Sequence, residues 1–515
     1  MADELTETPA AGPEAGAIPP AVASIFTRER LILFGIPALL FLVAFLIFWY
    51  YGPQETAYVQ HVNQANAFLH GRLDLVPEYS KNLSVLERAL DSDVLKEAES
   101  GVTPPPCGEV TCYLTHPPMP AILMLPFVAI FGLSFNQTLF SVFFGALTAP
   151  LVYLVARALT KRLSTQIWLT VLFVFGTIFW FTAANGGVWF ASHTITVFFL
   201  FLAIYATLVP RSPLLAGLCL GAAYLTRQTA AMSLPFFLIM FSDQWLIGGE
   251  DEPLWKRINL KPLAEFAAAA APFVLFSFVF NYQRFGNPLD AGYYHSEQIH
   301  TPDLVARVYQ RGAFHYTYMS RHFGPLLQAM PILQTSAPYV LPSWFAQSFW
   351  ATTPAFFYAF FAGMRDRWLV VGGIAAIVVT TGIIISQWIS GLWESGWQTF
   401  AFPNYSNLYP LFALIGVAIW VSRRNRLALA CWAATIPIAL TIFAFAATGW
   451  AQFGYRYALD FYPFLFLLTA IAIGDRIRWH HMALITAGVV INLWAVTWIY
   501  QFQPHHYLGL EWVTF

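Results

Sequence analysis

The sequence predicts an all-α polytopic membrane protein of about 13 transmembrane helices, each built on an apolar run near the ~20 residues that a bilayer crossing needs. Of its 515 residues, 58% are hydrophobic and only 10% are charged, whereas a soluble domain carries roughly 25% charge. The mean hydropathy is +0.58. Short Lys/Arg clusters fall between alternate apolar runs, so one set of loops is basic and the other is not. The formal net charge is -1, which leaves no basic field to attract nucleic acid, so the expected partners are the membrane and small or lipid-borne molecules.

Residues 1–30 are rich in Pro, Ala and Gly and acidic at the start. They lack the basic head of a secretory signal and are expected to be a disordered cytoplasmic tail. Arg28 and Arg30 precede the first run, 31–51, which places Gly52 outside. The expected spans are 31–51, 138–158, 167–183, 188–209, 213–226, 230–248, 262–282, 344–363, 368–389, 406–421, 427–449, 458–474 and 482–501. Counting Met119–Phe135 as a further crossing would put Arg157, Lys161 and Arg162 outside, so this run is expected to be a short interfacial helix. The remaining inner ends carry Arg211, Lys256, Arg257, Lys261, Arg365, Arg367, Arg423, Arg424, Arg426, Arg476 and Arg478.

Grouped by segment, 31–283 form a transmembrane module with a large outer loop at 52–137. A second outer loop follows at 284–343, then C-terminal helices at 344–501 and a short outer tail at 502–515. Both outer loops are expected to carry amphipathic juxtamembrane helices. Tyr58, Val62, Ala65 and Leu69 recur at helical spacing, as do Leu83, Leu86, Leu90 and Val94, with Ser84 and Glu87 at capping-box spacing. Cys107 and Cys112 are close enough to bridge in an oxidising compartment, although two nearby cysteines also occur by chance. Cys219 and Cys431 fall inside spans and read as packing residues.

Charged residues are nearly absent from the middle of the expected spans. Ion-coupled carriers keep ionisable groups there, so that class is disfavoured. The ionisable groups gather at the outer rim instead, as expected for a reaction on a lipid-borne substrate at that surface. Arg456 and Asp460 in "QFGYRYALDFYPF" are spaced to pair with each other. Together with Tyr455 and its neighbouring rings they equally suit a sugar-phosphate pocket. His116 in "THPPMP" is a second candidate for the phosphate, Asp74 in "GRLDL" is either a reserve base or a turn residue, and "HSEQIH" offers His295, Glu297 and His300 as metal ligands without the spacing of a zinc helix. No cofactor is required by these residues, and a divalent metal is compatible with them.

The order of a first span, "AFLHGRLDL", "THPPMPAILMLPFVAIFG", "GAAYLTRQTAAMSLPFFL", "NYQRFGNPLDAGY" and "QFGYRYALDFYPF" resembles the GT-C superfamily of membrane glycosyltransferases. Within it, the similarity is to bacterial relatives of the family 39 protein mannosyltransferases and the lipid A aminoarabinose transferase, and it runs from about Leu31 to Gly474. The resemblance implies a bacterial inner-membrane enzyme that moves a sugar from a polyprenyl-phosphate donor to a lipid, glycan or protein acceptor on the outer face. It implies an inverting displacement with a carboxylate base and cations on the departing phosphate. Glu55 matches the second position of the acidic pair that opens the first outer loop in the family, with Gln54 at the first, and an acid there also complements a helix dipole. Arg227 in "YLTRQT" stands where relatives often carry a cation that can fork onto phosphate, or it snorkels at the interface. Where many relatives have a second acid, this chain reads "ANGGVWFASHT", leaving His193 as the titratable side chain for acceptor or phosphate. Two other readings stand beside the transferase: a non-catalytic lipid-binding or assembly subunit, and a flippase of lipid-linked sugar.

Overall fold

The computed structural model describes residues 34–83, 88–89, 105–247, 253, 257–292, 295, 311–333, 337, 339–343, 346–390, 405–449 and 452–502. The described chain is mostly helical. Six helices are long and apolar enough to cross a membrane: Gln137–Leu159, Val188–Leu208, Leu260–Phe285, Arg367–Ile389, Arg426–Ala444 and Trp479–Phe502. A seventh candidate is the pair Leu163–Val174 and Phe179–Asn185, bent by 57°. The bend lies at Gly176, where a Cβ would sit 2.8 Å from the Leu172 carbonyl, and Gly488 of the last helix packs into the notch. Thr177 holds the break by donating to the Phe173 carbonyl and accepting from the Phe179 amide.

The runs expected at 31–51, 213–226, 406–421 and 458–474 form apolar helices shorter than 18 residues, and the run at 230–248 is divided among Gln228–Ser233, Leu234–Met240 and Ser242–Trp245. The expected span at 344–363 is a short helix, Phe349–Thr352, followed by a 3-10 segment, Pro354–Phe361. Met119–Phe131 is a short apolar helix, of a length similar to those at Pro213–Thr226 and Tyr462–Ile473.

Helix direction defines two ends. At one end Asp243 receives Arg211 and Arg426, each at 2.7 Å, and the Lys161 amide donates to Asp475 at 3.1 Å. These are the residues of the basic loops. The opposite end gathers the starts of Gln137–Leu159 and Val188–Leu208, the finish of Pro213–Thr226 and the turn Arg456–Asp460.

The first outer loop departs from expectation. Its helix runs from Gln60 to Leu69, and Gln60 through Ala67 are all buried, polar residues included. It therefore does not lie on a membrane surface with one wet face. Gln137 explains why such a polar helix can be buried: its Oε1 accepts from the His61 and Val62 amides, capping the helix from a distant part of the chain, while its Nε2 donates to the Tyr58 and Gly186 carbonyls. Asn63 and Asn66 then donate to the carbonyls of Lys81 and Tyr79. Asn63 and Asn66 thus each have a backbone partner, as burial demands, whereas the Oε1 atom of Gln64 has no hydrogen-bond partner among the described residues. The second expected amphipathic piece also differs, because Arg88–Ala89 is a strand antiparallel to Tyr113–Leu114 rather than helix. Ser84 and Glu87 lie outside the described residues. Cys107 and Cys112 are joined by a disulfide, with Cα atoms 5.5 Å apart, beside that strand pair. In the second outer loop the described residues form short turns, Tyr316–Tyr318, Met319–Phe323 and Gly324–Gln328, with the last entirely buried.

Pro213–Thr226 packs against Leu260–Phe285 through Gly217 and Gly221. A Cβ on Gly217 would fall 2.2 Å from the Phe266 carbonyl oxygen, and one on Gly221 would fall 2.5 Å from the Phe273 ring. Glycines four apart bring two backbones together in a membrane, where packing takes over from the hydrophobic effect. Gly217→Ala therefore forces the helices apart and is expected to cost about 1–3 kcal/mol. A lowered midpoint of thermal unfolding in detergent checks this, against Gly372→Ala, where nothing lies within 4 Å and no loss is expected.

Candidate functional site

Asp460, fully buried, is the centre of the site. Arg227 Nε donates to both its oxygens, at 3.0 and 3.1 Å, Thr229 Oγ1 donates at 2.5 Å, and His193 Nδ1 lies 3.1 Å away. Each donor has a reason to be there. Arg227 is the first residue after the helix Pro213–Thr226, where the chain turns extended, and Thr229 is in the 3-10 turn that follows. His193 is in the second turn of Val188–Leu208, deeper than the helix end expected from sequence.

The expected pairing of Arg456 with Asp460 is thus replaced, on the Asp460 side, by Arg227, Thr229 and His193. The Arg456 guanidinium lies over the rings of Phe190 and Tyr457, each at 5.3 Å, and of Trp189 at 5.9 Å. Arg227 lies 5.6 Å from the same Tyr457 ring. Two cations therefore share one aromatic ring, whose quadrupole attracts both. Tyr455, fully buried, is held by His322: the imidazole Nε2 donates to the Phe445 carbonyl at 2.8 Å, leaving Nδ1 to accept from the Tyr455 hydroxyl at 2.6 Å.

His116 joins from the loop before Met119, with its ring 6.0 Å from that of His61 and 6.5 Å from Trp189. Burial, then the charges of His61, Arg227, Arg456 and His193, hold its pKa well below the ordinary histidine value. His61 donates from Nε2 towards the Val188 carbonyl at 3.2 Å and meets Ser192 Oγ at 3.0 Å. Burial lowers its pKa to about 3, against a small opposing effect of the Val188 bond. Among the described residues, two buried imidazole nitrogens have no hydrogen-bond partner, His61 Nδ1 and His193 Nε2. With Nδ1–H directed at Asp460, His193 Nε2 carries its lone pair.

The sequence candidates thus divide. Arg227, Arg456, His116, His193, Tyr455 and Asp460 converge on one end of the bundle. Asp74 does not join them and forms a local ion pair with Arg72 at 2.6 Å. Glu55 is exposed and precedes the helix Gln60–Leu69 by five residues, so it lies outside the first helical turn and complements no dipole. Its segment nevertheless lies against the start of Val188–Leu208, where the Val188 amide donates to the Tyr58 carbonyl at 3.2 Å. His295 stacks on Phe285 and bonds Asp290 at 2.9 Å, while Glu297 and His300 lie outside the described residues. No cluster of three or more His, Cys, Asp or Glu suited to a metal occurs among the described residues.

Sequence reasoning missed His61, Thr229 and Trp189, counted Tyr457 only among the rings beside Tyr455, and placed His322 near the metal candidates rather than here. The only local signal was the density of polar residues in "QHVNQAN" within so apolar a chain. No family model matches the chain, and neither a curated protein nor a solved structure matches it.

The buried histidines outside the long helices make this end of the molecule acid-sensitive. The folded pKa is depressed to about 3 for His61 and, mainly by burial, to about 4 for His322. The unfolded chain therefore takes up protons first, and stability present above about pH 6.5 is lost as the pH falls towards 4, at up to about 1.4 kcal/mol per pH unit for each histidine. Thermal melts in detergent between pH 7 and 4 should show this slope, and His61→Gln should flatten it.

Proposed function

We propose that the chain is a GT-C-like membrane glycosyltransferase of about 13 crossings, with its basic end in the cytoplasm of a bacterial cell and its site at the outer face of the inner membrane. The observation that carries this reading is the pair of buried or nearly buried guanidinium groups, Arg227 and Arg456, over the single Tyr457 ring. Two forked cations beside aromatic faces suit a phosphate attached to a sugar. The neutral His116 adds a ring nitrogen beside them.

In the proposed reaction an acceptor hydroxyl attacks the anomeric carbon of a polyprenyl-phosphate sugar. The bond from that carbon to the phosphate oxygen breaks, and its electron pair leaves with the lipid phosphate. Arg227 and Arg456 stabilise the charge that develops there. The hydroxyl proton passes to a base. Asp74 is engaged by Arg72, and Asp460 is occupied by three donors, so of the candidate carboxylates only Glu55 is without an ion pair or side-chain hydrogen bond among the described residues. Glu55 is the proposed base.

One observation favours a second reading. Glu55 is exposed whereas Asp460 is fully buried, as a lipid-binding or assembly subunit without catalysis would allow. Turnover of a panel of polyprenyl-phosphate sugars by the protein in lipid nanodiscs separates the two. The transferase releases polyprenyl phosphate. Glu55→Gln should slow that release by ~10²–10⁴-fold, and Arg456→Gln by ~10²–10³-fold. Binding of the lipid without consumption of any donor would sink the transferase and leave the subunit.

A further inference from the structure

Towards the basic end, the helix Leu260–Phe285 meets the broken segment Leu234–Trp245. A straight helix would lie flush along its neighbour. The segment instead stops at Phe241 and restarts, and the mismatch leaves a crevice of about 220 Å³ lined by Phe237, Leu238, Phe241, Leu263 and Phe266, among other apolar side chains. The crevice faces outward. Leu234 and Leu238 on one wall are 39% and 38% exposed, and only 11% of the apolar stretch of Leu260–Phe285 is buried in the bundle.

An entirely apolar lining offers nothing to a sugar, a nucleotide or a peptide backbone, whose polar groups would be stripped of water without a partner. It suits a hydrocarbon chain. The mouth at the basic end is different in character. Trp245, which lines the crevice, is tied to the next segment through the amide of Asn259, and Ile247 donates to the carbonyl of Arg257. Arg257 therefore lies directly beside the opening, and its Nε is buried with no partner among the described residues. Lys261 is one residue from Pro262 of the lining, with its side chain 81% exposed. Arg211 and Arg426 add two charges nearby, and among the described residues the acids beside these four cations are Asp243 and Glu265, the latter 4.0 Å from Lys261.

We propose that this crevice binds one acyl chain of an anionic phospholipid of the inner leaflet, with the headgroup phosphate on Arg257 and Lys261. The chain fills the notch that the broken segment leaves. The phosphate supplies the missing acceptor for Arg257. Because no residue that lines the crevice or flanks its mouth belongs to the Asp460 cluster, this binding does not depend on the reaction proposed there.

Native mass spectrometry of the full chain in detergent, with phosphatidylglycerol and phosphatidylcholine of matched chains, tests the headgroup. Each juxtamembrane cation is worth about fivefold in affinity for an anionic lipid. The wild type should retain phosphatidylglycerol over phosphatidylcholine by about that factor or more, and Arg257→Ala with Lys261→Ala should abolish the preference. Equal retention of the two lipids, or a preference that survives the double substitution, would overturn the proposal. Phosphatidylglycerol with a photoreactive chain tests the crevice on the unaltered protein. Crosslinks should map to 234–245 and 260–267, and crosslinks only elsewhere would be equally fatal.

Discussion

Everything at the end of the molecule opposite the basic loops depends on the carboxylate of Asp460. It ties together the end of Pro213–Thr226, the turn after it and the second turn of Val188–Leu208 through Arg227, Thr229 and His193. A buried carboxylate is costly unless its lone pairs are met by donors. Here both oxygens are met, so the turn Arg456–Asp460 is fixed and the rings of Tyr455 and Tyr457 with it. Removing either partner would leave the other as an uncompensated charge, in full burial for Asp460 and in partial burial for Arg227. Tight coupling of this kind narrows the roles Asp460 can play. A carboxylate already accepting from three side chains orients its neighbours better than it takes a proton.

A second constraint is that the outer loop is inside the protein. The helix Gln60–Leu69 carries five polar residues in its first seven, and all are buried. Such a sequence would be unstable on its own in water or lipid. It holds its place because Gln137 caps it and the following turn accepts from Asn63 and Asn66. The consequence reaches the site, since this helix puts His61 against Ser192, one residue before His193 in the chain.

Much of this was legible in the sequence, and what was not has physical causes. Periodicity and length found the long helices, because an apolar run of that size has few alternatives. The same rule counted 344–363 as a span, but the count of apolar residues is blind to Pro354, which opens a 3-10 segment instead. Helical spacing at Val62, Ala65 and Leu69 correctly gave a helix and wrongly gave it a wet face, since the residues that bury its polar side come from Gln137, Tyr79 and Lys81. The charged members of the site were visible because a charge in so apolar a chain is conspicuous. Thr229 and Trp189 were not, for each is common in type and gains meaning only through the carboxylate or the cation it touches.

The two ends of the bundle use the same residue types under opposite rules. At the basic end Arg211, Arg426 and Asp243 form exposed pairs, each at least 38% exposed, and pairs of that kind contribute little and are lost at little cost. At the other end Arg227 is 16% exposed and Asp460 not at all, so the desolvation of both must be offset by geometry. A chain that needed only to anchor its helices could have left these charges at the rim. It instead draws two guanidinium groups, a carboxylate and three histidine rings inward around a small set of aromatic faces. Buried ionic groups of this kind are weak contributors to stability, and strongly perturbed charges gathered in one place are the mark by which a functional site is sought.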